Sequence, residues 1–295
     1  MRELLRKDNK LKHHLTLHPN NLNGRYGCMI TFQKGEIKNE IRYKLDVEYL
    51  KNTNTSTLYR IGRAQDLFIN DKAPDNFMDQ LAFETSKIIY PLEIGFLNDG
   101  SINHIQNFDE ITSRWLQAKK KIKEYYKGEL VDKYLNLINN TLKFEEKLMR
   151  KLTKDWFLYM YFKPLSKDIY TEKYFQFPTA GKALPVNYEI TQKIEERSDA
   201  EDILIKIEGK IKDDRCALDL EQELDYPYFK SIDINEKDLE GNCAITYTLN
   251  KNNRIIEGIE AEFYTEYLEP KRIEIKMFLL EYLVNKNKFD DEQNG

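Results

Sequence analysis

Most catalytic and metal sites are built from histidine, cysteine and converging carboxylates, and this chain is sparing with the first two. Its 4 histidines are His13, His14, His18 and His104. His14 and His18 stand four residues apart, a spacing that on a helix puts two imidazoles on one face and makes half of a metal site. Pro19 follows directly and no carboxylate lies at a diagnostic spacing, so these histidines read as surface residues. A Ser-His-Asp or Cys-His arrangement would have to draw on them or on His104, and the chain carries no G-x-S-x-G. Its 3 cysteines, Cys28, Cys216 and Cys243, are widely spaced; they match neither a disulfide framework nor a zinc pattern and suit a reducing compartment. Thr179–Ala183 holds a Gly-Lys pair without the preceding glycine or following hydroxyl residue of a phosphate-binding loop. The acidic pairs Asp213-Asp214, Glu195-Glu196 and Asp290-Asp291 are adjacent, so in a strand their side chains point to opposite faces and in a loop they are solvated. No catalytic residue, metal or cofactor is assigned. A hydrolase or metal-dependent enzyme using His104, or the His13, His14 and His18 group, is the runner-up.

What the chain has in surplus is aromatic surface: 19 Tyr and 15 Phe against 12 Gly. The run Trp156-Phe157-Leu158-Tyr159-Met160-Tyr161-Phe162 is apolar on every side, so it must be buried all round or line a cleft. Trp156, Phe157, Tyr159, Tyr161 and Phe162, with Trp115 from a preceding helix, are therefore the candidate wall for a ligand or partner.

The wall must be held by the strands and helices that flank it. Segments 25–34, 40–51 and 56–69 read as strands. Ile41, Tyr43, Leu45, Val47 and Tyr49 occupy alternate positions and share one face. Asn70–Pro74 supplies cap residues and an early proline for a helix carrying Phe77, Met78, Leu81, Thr85 and Ile88. Pro91–Leu97 and Ile102–Gln106 form a hairpin around Asn98-Asp99-Gly100-Ser101. Asn107, with Glu110 three residues on, starts a helix whose buried stripe is Ile111, Trp115, Ala118, Ile122 and Tyr125. Lys119, Lys120, Lys121 and Lys123 form its solvated face. After Lys127-Gly128 a longer helical stretch carries Val131, Tyr134, Ile138, Leu142, Met149, Leu152 and Trp156, so the middle of the chain reads as a helical hairpin. Strands return at 174–177, 183–195, 202–212, 242–249, 255–267 and 272–283, with 219–228 as a polar loop or short helix.

The 295 residues, 41% hydrophobic and 33% charged, describe a globular chain. The net charge of −4 comes from 46 basic and 50 acidic residues finely interspersed, which argues against nucleic acid as a partner. The first residues form a charged amphipathic segment without an apolar stretch of signal-peptide length, so export is not expected and the location reads as cytoplasmic, with the envelope as the alternative if a leader was trimmed. No run of about 18 apolar residues occurs, as a spanning helix would need.

The segment Leu92-Glu93-Ile94-Gly95-Phe96-Leu97-Asn98-Asp99-Gly100-Ser101-Ile102-Asn103-His104-Ile105, followed by Asn107-Phe108-Asp109-Glu110-Ile111, resembles a recurring segment of bacterial envelope proteins of unknown function. It is also similar to the lipoprotein-carrier half-barrels, whose antiparallel meander wraps over helices. Phe177-Pro178 and Leu184-Pro185-Val186 before strands are similar to the second half of such proteins. The resemblance implies a curved sheet with helices on its concave side, a cup for an apolar ligand or partner segment, and no catalysis.

The expected fold is α+β: a curved antiparallel sheet, or half-barrel, packed on central helices. Residues 1–24 are expected to be a polar N-terminal segment and 25–284 a single domain with a helical insert at about 107–162. Residues 285–295 are expected to be a disordered acidic tail. The expected function is non-catalytic: an accessory factor, chaperone or carrier holding an apolar small molecule or a protein partner in an aromatic-rich cup. A structural subunit of a larger assembly is a further alternative, and the sequence does not assign an oligomeric state.

Overall fold

The structure, a computed structural model, describes residues 19–163, 174–178, 185–196, 201–233, 235–266 and 269–283. Among them an α+β fold is built on one large antiparallel sheet. In chain order the strands are β1 (Gly24–Lys34), β2 (Ile37–Asn52), β3 (Thr57–Ile69), β4 (Leu92–Phe96) and β5 (Ile102–Ile105), then β6 (Tyr174–Phe177), β7 (Val186–Glu196), β8 (Asp202–Ile211), β9 (Glu240–Asn250), β10 (Ile256–Glu266) and β11 (Lys271–Glu281). The 11-stranded sheet runs β5-β4-β3-β2-β1-β11-β10-β9-β8-β7-β6 and does not close into a barrel. The helices are α1 (Phe77–Ser86), α2 (Phe108–Tyr125), α3 (Glu129–Thr141), α4 (Glu145–Leu152), α5 (Trp156–Phe162), α6 (Ala217–Glu221) and α7 (Tyr228–Ile232). The chain divides into two compact units: His18–Gly27, Arg42–Ser166 and Leu279–Gly295 form one, and Met1–Leu17, Cys28–Ile41 and Lys167–Phe278 the other.

In the unit that carries α1 to α5, strand alternation separates a packed face from a charged one. Leu45 and Val47 of β2 and Tyr59 and Ile61 of β3 are buried. The intervening Asp46 binds Arg25 at 2.7 Å, while Arg60 bridges Glu48 at 3.1 Å and Glu93 at 2.9 Å. The β4–β5 hairpin turns at Gly100, whose φ of +76° is a conformation that glycine tolerates best. The caps differ from the sequence reading. Asn70 and Asp71 adopt positive φ in a tight turn closed by Ile69 and Lys72, and Asn76 caps α1 by accepting the Asp79 amide at 2.9 Å. Asn107 precedes α2, but its carboxamide accepts the Glu93 amide at 2.9 Å and donates to the Pro91 carbonyl at 2.9 Å. It therefore ties the helix start to β4 instead of capping it. The stripe of α2 ends at Ile122, and Tyr125 is 82% exposed.

The single long helical stretch expected after Gly128 is three helices. Thr141 turns its hydroxyl back on the Leu137 carbonyl at the end of α3, and Asp155 starts α5 by accepting the Leu158 amide at 2.9 Å. A period of 3.6 residues carries through both breaks, so apolar spacing alone does not reveal them. Glu145 and Glu146 begin α4 and Arg150 and Lys151 end it, each charge opposing the local end of the helix dipole.

In the other unit β6 to β10 and most of β11 present a continuous apolar face in register rows. Ile207 of β8 stands opposite Ile245 of β9, which faces Ala261 of β10, which faces Ile275 of β11. One row away Ile205, Tyr247, Ile259 and Met277 align in the same way. All eight side chains are buried. The alternate positions carry Lys206, Glu208, Glu260, Glu262, Glu274 and Lys276, the pattern of an antiparallel sheet packed on one side only.

Candidate functional site

α5 is where the sequence places its wall, and the structure splits that wall by direction. Tyr161 meets Tyr26 of β1 edge-on at 4.9 Å and donates its hydroxyl to that of Tyr26 at 3.1 Å. Phe162 stacks on Phe96 of β4 at 3.8 Å and approaches Tyr59 of β3 at 4.9 Å. Phe157 stacks on Tyr161 at 5.1 Å. Phe157, Tyr161 and Phe162 are completely buried and Trp156 nearly so. Burial pushes the phenols of Tyr59 and Tyr161 well above their ordinary range, so both stay protonated and act as hydrogen-bond donors. The Tyr59 hydroxyl donates to the Pro19 carbonyl at 3.0 Å. Trp115 is buried on α2, its indole N–H reaching Asn139 of α3 at 3.4 Å.

Tyr159 is the wall residue that stays half-buried. With Phe96, Ile102, Leu158 and Lys163 it borders a cleft of about 170 Å³ whose lining is mainly apolar. The sequence reading missed Tyr26, Tyr59 and Phe96, the sheet-side partners of α5. Each sits in a strand whose alternation marks the packed face, so period two was the signal that could have found them.

A second cleft in the same unit, about 280 Å³, is bordered by Gly62, Arg63, Gln65, Lys87, Tyr90 and Pro91. Arg63 follows Tyr59 and Ile61 at alternate positions of β3 and so falls on their face. Its guanidinium carbon lies 5.8 Å from the Tyr43 ring, 5.8 Å from Phe83 and 5.7 Å from Tyr90, an aromatic cage of cation–π type. Lys87 stands 4.2 Å over Phe83 and pairs with Glu84 at 2.5 Å. Arg114 of α2 fixes the Lys87–Pro91 border by donating to the carbonyls of Ile88, Ile89 and Pro91 at 2.9, 3.2 and 3.0 Å. Burial raises the Asp155 carboxyl, against the opposing pull of the Leu158 and Phe157 amides and of Arg63.

In the other unit Gln192 of β7 stands out. It pairs with Ile207 and so begins the row Ile207, Ile245, Ala261 and Ile275. Both its Oε1 and its Nε2 are shielded from solvent, and among the described residues neither has a hydrogen-bond partner. Leaving such a group unpaired costs about 1–3 kcal/mol. Asp213 overturns the expectation that the acidic pairs are solvated. Its side chain is 3% exposed and that of Arg215 6%, with Arg215 donating to it at 2.8 Å through both Nε and Nη2. Asp213 also accepts the Asn187 amide at 3.1 Å, and Arg215 reaches the Pro185 carbonyl at 2.9 Å, so the pair pins the start of β7.

Cys28, Cys216 and Cys243 are buried thiols. Burial raises the Cys216 thiol and pushes Cys243 up to about 12, which keeps both in the un-nucleophilic thiol form. His104 of β5 lies opposite Gly95 and hydrogen-bonds with Asn103 at 3.2 Å. His13, His14, His18, Thr179–Ala183 and Asp290-Asp291 lie outside the described residues. Among the described residues no group of three or more His, Cys, Asp or Glu is placed to hold a metal ion, and no helix is long and apolar enough to cross a membrane.

No family model matches the chain, and no curated protein matches it. Among solved structures it is similar to lipovitellin, described for its lipid–protein interactions, at 11% identity and a TM-score of 0.40. That match covers 88% of this chain and only 25% of lipovitellin. It is also similar to a LolA-superfamily protein of Nitrosomonas europaea at 7% identity and a TM-score of 0.18, covering 96% of each chain.

Proposed function

We propose that this is a non-catalytic binding protein, a carrier, chaperone or accessory factor, that holds an apolar molecule or apolar partner segment against the apolar face of β7 to β11. The observation that carries the reading is Gln192. An unpaired donor and acceptor, buried at the end of the row Ile207, Ile245, Ala261 and Ile275, is a standing cost in the free protein. An occupant with an apolar body and either an amide N–H and C=O or an ester beside a hydroxyl would supply the acceptor and the donor that it lacks. In the other compact unit, the half-buried Tyr159 beside its own mainly apolar cleft is a separate place for an apolar group.

The test is a titration of the full chain with the neutral fluorophore N-phenyl-1-naphthylamine, followed by displacement with a medium-chain monoacylglycerol. Saturable binding and competitive displacement are expected. Gln192→Leu should weaken the monoacylglycerol about five- to tenfold, the worth of a neutral hydrogen bond or two, while leaving the fluorophore unchanged. Failure to bind either compound would overturn the proposal.

A further inference from the structure

We infer that the cleft beside Arg63 is an oxyanion site, taking the phosphate or carboxylate group of a small molecule. The inference is independent of the apolar face and Gln192, which belong to the other compact unit.

A guanidinium carries five N–H donors in a planar fork. Three rings hold that of Arg63 in place at 5.7–5.8 Å, yet rings satisfy its charge and not its donors. Among the described residues no hydrogen bond is made by Arg63. The carboxylate that acts on it, Asp155, uses its Oδ1 to accept the Leu158 amide at the start of α5. Arg63 is thus oriented, half-buried and left with its fork open beside a cleft of about 280 Å³. An anion engaged in two parallel N–H···O bonds is what such a fork fits best.

The rest of the border agrees. Lys87 brings a second cation to the same cleft, its charge shared with Glu84. Tyr90 and Pro91 give the border apolar contact. Arg114 clamps three successive parts of the Lys87–Pro91 backbone, so the second cation and the apolar wall sit on a braced segment. Two cations, one of them caged and unbonded, with a small apolar border describe an anionic group on a compact body.

The experiment is isothermal titration of the full chain with inorganic phosphate, hexyl phosphate and hexanoate at low salt. Saturable binding of at least one is expected, weakening as ionic strength rises. Hexyl phosphate or hexanoate binding tenfold or more above inorganic phosphate would identify a headgroup on an amphiphile; equal affinity of the two phosphates would identify a free anion. Either result supports the site if Arg63→Gln weakens it by about ten- to a hundredfold, the span of a charge-assisted hydrogen bond. Arg63→Lys should fall between, because it keeps the charge and loses the fork. Should Arg63→Gln fail to fold, Lys87→Gln supplies the second variant, with a two- to fivefold loss expected. Absence of binding by all three probes, or affinity unchanged in the folded variants, overturns the inference whether or not the apolar face binds its own ligand.

Discussion

Replacing Phe162 and Tyr159 separately by alanine would divide the aromatic run of α5 into packing and wall. Phe162 is fully buried, stacked on Phe96 at 3.8 Å, and touches Tyr59 and Tyr161 with ring centroids 4.9 and 5.0 Å away. Emptying a site of that kind costs about 3–5 kcal/mol, because the aromatic contacts are lost and the surroundings collapse only partly. Tyr159 is half-buried beside the cleft that also borders Lys163, so its truncation removes less packing and should cost about 1 kcal/mol. Urea unfolding followed by far-ultraviolet circular dichroism gives both values, and titration with N-phenyl-1-naphthylamine gives the binding side. The expected pattern is a large stability loss for Phe162→Ala and a small one for Tyr159→Ala, with binding weakened in the latter while the fold persists. Equal costs, or a cost below about 1.5 kcal/mol for Phe162→Ala, would refute the division of the helix into a packed face and a wall.

Asp213→Ala should cost about 3–5 kcal/mol by chemical denaturation, because it strands the Arg215 charge inside the protein; a loss under about 1 kcal/mol would show the pair to be incidental. Burial alone would raise the Asp213 carboxyl, but hydrogen bonds from Arg215 and the amides of Asn187 and Arg215 outweigh it and hold the group below its ordinary value. The pair's stabilisation is therefore fully present above the unfolded value of about 3.9 and fades as pH falls toward the lower folded one. Asp213→Asn should flatten that acid limb of a stability-against-pH series. Gly100→Ala should lower the melting temperature by the equivalent of at least about 1–2 kcal/mol. Gly100 sits at φ +76°, and an added Cβ would come within 2.6 Å of the Phe162 carbonyl oxygen; a neutral result would mean that the turn relaxes freely. Gln192→Leu should stabilise the unliganded protein by about 1–2 kcal/mol in the same denaturation assay, and destabilisation would mean that the carboxamide has a partner.

Much of the sheet was legible because alternation is a local property. Ile41 to Tyr49 and Val186 to Ile194 show their buried faces without any knowledge of the partner strand, and Asp99-Gly100 announces the β4–β5 turn. The helical breaks at Thr141 and Asp155 were not legible, since the apolar period continues across them and the interruption is made by polar groups that also occur inside helices. Asn107 shows the limit of cap reasoning: a residue at the right position spends its carboxamide on a neighbouring strand, which only the tertiary fold supplies. Asp213 is similar, because its burial depends on Arg215 and on Asn187 arriving from β7. Arg63 and Gln192 were within reach, as each interrupts an apolar alternation at a fixed register. Neither belongs to a histidine, cysteine or glycine motif, so only its place as a polar residue on an apolar strand face marks it.

Native mass spectrometry of the full chain purified from its own host, compared with the same sample after denaturation, tests the binding proposal most directly. The account predicts a stoichiometric apolar molecule or partner segment that is present in the native spectrum and lost on denaturation. A bare chain that also fails to take up N-phenyl-1-naphthylamine or a monoacylglycerol when these are added would contradict it.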